Sequence, residues 1–172
     1  NEEVFNQTIK VAVTCATEIE ATTEIISVIM AANSLASQTV LCPTGSVAIG
    51  GGVDVSNIAQ MLVTAQAPVF GPGPPESLAT RPDGANPAPS GWSASVRNVG
   101  GSQVMAVAAI CSSTAGEVVT EVDTLPIPVN GTGQTRLFCP EGMEAASGGI
   151  LPTSTSDVYV TSTAPAFGAE PF

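Results

Sequence analysis

The 172-residue chain reads as an all-β protein, a β-sandwich or barrel-like module in about two permuted, repeated copies. Three observations lead there. Short runs rich in Val, Ile and Thr alternate with Gly, Pro, Asn and Ser clusters, which is the pattern of strands joined by turns. Only 4% of residues are aromatic and 11% charged against 44% hydrophobic, so small and β-branched side chains must build the core. The chain also matches itself at an offset of about 97 residues, and a fixed period marks a structural unit.

The repeat is specific. Cys42-Pro43-Thr44-Gly45 returns as Cys139-Pro140-Glu141-Gly142, Gly51-Gly52-Val53 as Gly148-Gly149-Ile150, and Ala67-Pro68-Val69-Phe70-Gly71 as Ala164-Pro165-Ala166-Phe167-Gly168. Twelve of the thirty positions from 42 to 71 are identical to their counterparts. Val11-Ala12 and Cys15 match Val107-Ala108 and Cys111 at an offset one shorter, as Gln38-Thr39 match Gln134-Thr135. The organisation that follows is a donor-like strand with connecting strands in 1–41, a complete module in 42–111, connector strands in 112–138 and an incomplete second module in 139–172. The strand at 8–15 is chemically the strand that the second module lacks.

The elements follow in chain order. The run 8–15 is rich in β-branched residues and ends at Cys15, with Ile9, Val11 and Val13 on one side of the expected assembly strand. In 23–31, Ile25, Ile26, Ile29 and Met30 would also fit a helical stripe. Its counterpart, however, runs from Glu117 into Leu125-Pro126-Ile127-Pro128, which a helix interior rejects, so a strand is expected in both places. Strands are predicted at 38–42 and 46–50, and Gly50-Gly51-Gly52 supplies a positive-φ bend or a close backbone approach. It is no phosphate loop, since no lysine or helix signal follows. Further strands fall at 60–66, at 92–98 with Trp92 as a core anchor, and at 103–111, 117–124, 134–139 and 157–163. The six prolines of 71–91 predict a long exposed loop.

Four cysteines spaced without any C-x-x-C pair, in a chain with no histidine, point to disulfides rather than to a metal. The repeat favours Cys42 with Cys111, closing the complete module, and Cys15 with Cys139, within one chain or between chains. Cys15 with Cys42 and Cys111 with Cys139 respects the repeat equally well. Disulfides imply an oxidising compartment. The start at Asn1 fits a mature secreted product, and the sequons at Asn6 and Asn130 are compatible with glycosylation. No apolar run approaches the length of a membrane span.

The order Cys42-Pro43-x-Gly45, glycine-rich stretch, Ala67-Pro68, Gly91-Trp92, Asn98 and Ala109-Ile110-Cys111 resembles a small cysteine-bracketed β module of secreted bacterial proteins. The resemblance covers one full copy and two partial ones. It implies an extracellular β fold with a cysteine bracket and carries no activity.

Charge and composition narrow the chemistry. A formal charge of -11 repels phosphate backbones, which argues against nucleic-acid binding. Without histidine, and with Lys10 the sole lysine, a serine or threonine nucleophile has almost no activator, so no enzyme and no cofactor is expected. Glu18, Glu20 and Glu24, with Glu117 and Glu121 in the related segment, are the nearest approach to a calcium cluster, but alternating acids normally mark a solvated strand face. Asp54, Asp83 and Asp157 cannot be brought to a glycosidase cleft from sequence alone. Lys10 and Arg136 read as solvated strand positions.

The expectation is therefore a secreted structural subunit that self-assembles by β-strand complementation into a filament, pilus-like fibre or surface coat, its partners being copies of itself. The alternative is a monomeric adhesin or lectin-like domain whose proline-rich loop meets glycans or a surface protein.

Overall fold

The computed structural model describes residues 7–17, 20–70, 88–128 and 132–152. Nine strands are present there, β1 (Gln7–Ala16), β2 (Thr22–Met30), β3 (Leu35–Leu41), β4 (Val47–Val55), β5 (Met61–Val69), β6 (Gly91–Asn98), β7 (Gln103–Ser112), β8 (Val118–Ile127) and β9 (Glu144–Pro152). They form a six-stranded sheet in the order β3-β6-β5-β9-β1-β8 and a three-stranded sheet in the order β2-β7-β4. Every pairing is antiparallel.

The main core lies between β3-β6-β5 and β2-β7-β4. Alternate residues of β7, namely Met105, Val107, Ala109 and Cys111, face Trp92, Ala94 and Val96 of β6, with Met30, Val40 and Met61 closing the layer. Trp92 is fully buried and is the largest side chain there. The remaining space is filled by methionines and valines, as a chain so poor in aromatics requires. Two hydroxyls beside this core pair across strands: the half-buried Thr39 Oγ1 donates to Ser93 Oγ at 3.0 Å, and Ser93 Oγ donates to the Gln38 carbonyl at 3.1 Å.

Both Cys-Pro-x-Gly segments form turns. Ser46 N–H donates to the Pro43 carbonyl at 3.0 Å and Met143 N–H to the Pro140 carbonyl at 3.1 Å. The third residue of each has positive φ, 88° at Gly45 and 83° at Gly142, as the type II turn requires of glycine.

Several expectations change. The strand predicted at 134–139 is absent, since 132–140 carries no strand hydrogen bonding; Thr135 instead bonds the Asp123 carboxylate through its side chain at 3.3 Å. β9 has no counterpart among the predicted strands, because Glu144–Pro152 holds two glycines, two alanines and one proline and reads locally as a turn. The triple glycine is neither a bend nor at positive φ. It lies inside β4, where Gly51 makes the close approach, directly against Trp92. β3 and β4 run longer than the stretches 38–42 and 46–50. The predicted strand 157–163 and most of the loop 71–91 lie outside the described residues.

Candidate functional site

The residues singled out as an assembly strand lie on an interior strand of the larger sheet, beside its edge strand β8. β1 is bonded on one side to β8, from Gln7 opposite Ile127 to Ala16 opposite Val118, and on the other to β9, from Ile9 opposite Pro152 to Ala16 opposite Glu144. A strand with both edges occupied satisfies nearly all its backbone groups, which makes it the most firmly held position in a sheet. Ile9 and Val13 are buried and Val11 is half-buried. On the opposite side, Ala12 packs with Ala67 of β5, Phe70, Val122 of β8 and Leu151 of β9. Gly149 permits this: a Cβ there would fall 2.8 Å from the Ala67 Cα, so only a glycine lets β5 pass so close to β9.

The register of β1 has a close parallel in the smaller sheet. β4 slips against β7 between Ala48 and Gly50, leaving Ile49 as a bulge, and β9 slips against β1 between Ala145 and Ser147. Ala108 of β7 stands between Ile25 and Gly52, whereas Ala12 of β1 stands between Val122 and Gly149.

A disulfide anchors each of these central strands. Cys15 is bonded to Cys139 with Cα atoms 5.7 Å apart, and Cys42 to Cys111 at 5.6 Å. Both bonds lie within one chain and no cysteine is free. Two disulfides are consistent with an extracellular location.

Among the described residues the acidic candidates are not brought together into a metal-binding group. Glu24 is on β2 of the small sheet, Glu121 on β8 at the edge of the large one, and Asp54 is exposed on β4. Glu20 and Glu117 are exposed, while Glu18, Asp83, Asp157 and the sequon asparagines Asn6 and Asn130 lie outside the described residues. Among the described residues no three His, Cys, Asp or Glu side chains form a metal-binding group, and no helix is long and apolar enough to cross a membrane. Lys10 and Arg136 are half-buried rather than fully solvated.

Sequence reasoning missed Val122, Leu151 and Gly149 as the walls of the β1 slot. The signal was there in Gly149, which repeats Gly52, but the contact with β5 is non-local. No family model, curated protein or solved structure matches the chain.

Proposed function

We propose that the protein is an extracellular structural subunit that polymerises by exchange of β1, forming a filament, pilus-like fibre or surface coat. The observation that carries this reading is the seat of β1 between β8 and β9, hydrogen-bonded on both edges and tied down by Cys15–Cys139. On this reading β9-β1-β8 and β4-β7-β2 are two copies of one three-stranded unit. The recurring bulge and the two positive-φ turns support it. β7 reaches its place through the body of its own module. β1 is attached to its unit by backbone pairing, by the packing of Ala12 against Val122 and Leu151, and by one disulfide, while the next strand in the chain, β2, lies in the other sheet. A strand held in that way can be supplied by a second chain with the same contacts, which is how strand exchange builds open, head-to-tail assemblies.

The closure of Cys15–Cys139 within one chain favours a second reading, a monomeric adhesin or lectin-like domain that uses the 71–91 loop. Detergent electrophoresis of native material with and without reductant separates the two, with electron microscopy alongside. A multimer ladder that collapses on reduction, together with visible fibres, supports the polymer. A single 17.2 kDa species without fibres overturns it and leaves the binding domain.

A further inference from the structure

The two strands that end the sheets on the β7 and β1 sides, β2 and β8, are treated very differently. β8 carries Glu121, Asp123 and Pro126, and the 132–137 segment lies beside it, with Gly133 against Leu125 and Ile127. Charge, proline and a covering segment are the usual means of keeping an edge from pairing. β2 has no proline and, among the described residues, no covering segment. Its sequence, Thr22-Thr23-Glu24-Ile25-Ile26-Ser27-Val28-Ile29-Met30, holds a single charge near one end and no proline. Ile25 is 62% exposed, Ile29 77% and Ile26 41%, and the neighbouring Val104 of β7 is 42% exposed. A β-branched edge of this kind is a pairing template.

We propose that β2 is a second, lateral interface, in which two copies of the chain join β2 to β2 antiparallel about a twofold axis at Ser27. The strand is self-complementary in that register. Ile25 then faces Ile29 of the other copy twice over on the outer side of the sheet, and Ile26 faces Val28 on the inner side. Both are pairings of β-branched residues that favour neighbouring strands. The two Glu24 carboxylates fall at opposite ends, each opposite a Met30. Moving the twofold toward the start of the strand sets Glu24 opposite the partner's Val28 or Ile26, or brings the two carboxylates together. Charge selects the same partner surface: on a chain of net charge -11, copies meet at lowest electrostatic cost along an edge whose Ile25–Met30 stretch is uncharged. The contact is isologous and closes as a dimer. It is independent of β1 exchange, which it would crosslink sideways.

The test is sedimentation equilibrium of the full chain, using the fraction whose Cys15–Cys139 bond is internal so that β1 exchange does not contribute. The wild type is expected to form a dimer. Ile29→Lys places an ammonium opposite Ile25 of the partner and is expected to weaken the dimer at least roughly tenfold. Adding Ile25→Glu to that variant sets the new carboxylate against the new ammonium across the twofold and restores the dimer in low salt, whereas Ile25→Lys with Ile29→Lys does not. Both positions are mostly exposed, so circular dichroism of the variants should match the wild type. A wild type that stays monomeric at its highest soluble concentration overturns the proposal and leaves the edge to some other partner. Equal association of wild type and Ile29→Lys, or no recovery when Ile25→Glu is combined with Ile29→Lys, overturns it as well. Failure of β1 exchange leaves these results unchanged.

Discussion

Gly51 of β4 lies under the indole of Trp92, so close that a Cβ on the glycine would fall inside the ring system at Cγ and Cδ2. The next residue, Gly52, points to the other side of the strand, where nothing among the described residues lies within 4 Å of the same atom. Gly51→Ala should therefore destabilise the fold by about 1–3 kcal/mol through overpacking against a fully buried side chain. Gly52→Ala should be neutral or stabilising by roughly 0.5 kcal/mol, since alanine restricts the unfolded chain more than glycine. Urea titrations followed by fluorescence of the single tryptophan would compare the two. Equal losses would contradict the placement of β4 against β6.

Asn98 holds two turns together. Its Nδ2 donates to the carbonyls of Ala31 at 2.8 Å and Gly101 at 2.6 Å, and its Oδ1 accepts from Gly100 N–H at 3.0 Å, all with the side chain 1% exposed. Asn98→Ala leaves those carbonyls without their donor and should cost about 2–3 kcal/mol. Asn98→Asp should cost more, because a carboxylate then faces two carbonyl oxygens. Thermal melts would show the order wild type, Ala, Asp; an aspartate variant as stable as wild type would refute the network.

Gly149 should respond unlike its neighbour Gly148. An alanine at 149 meets the Ala67 backbone and Pro68, forcing β9 away from β5, while among the described residues a Cβ at 148 meets only the Ala12 carbonyl, at 3.5 Å. Gly149→Ala is expected to lose about 1–3 kcal/mol and to raise hydrogen exchange in β1, and Gly148→Ala to do neither. Equal exchange in both variants would contradict the β5 crossing.

The Cys42–Cys111 bond spans 69 residues, so replacing both cysteines by alanine should cost about 4 kcal/mol in the chain-entropy picture. Cys15–Cys139 spans 124, and its loss should cost about as much while its effect on hydrogen exchange concentrates in β1 and β9. Urea midpoints with exchange mapped by mass spectrometry would distinguish them.

The strand content was legible because β-branched runs and turn residues are local signals: β2 emerged as a strand although Ile25, Ile26, Ile29 and Met30 also fit a helical stripe. Where the local signal was misleading, the structure departs. Gln134-Thr135-Arg136-Leu137-Phe138 has strand-like composition, but it has no ladder partner and engages β8 through the Thr135 side chain. β9 is poor in strand formers and is a strand because β1 occupies its edge. The β1 slot was half legible, since the cysteine and alternating residues of β1 stand out in sequence. Its walls at Val122, Leu151 and Phe70 come from segments far apart in the chain.

On the proposed reading, β1 fills this slot in a neighbouring chain. The direct measurement is to prepare the protein with light and with nitrogen-15 label, refold the mixture under oxidising conditions and digest it without reduction. Strand exchange predicts Cys15 peptides of one label joined to Cys139 peptides of the other, while Cys42–Cys111 pairs remain of a single label. Cys15–Cys139 pairs of a single label throughout would contradict it.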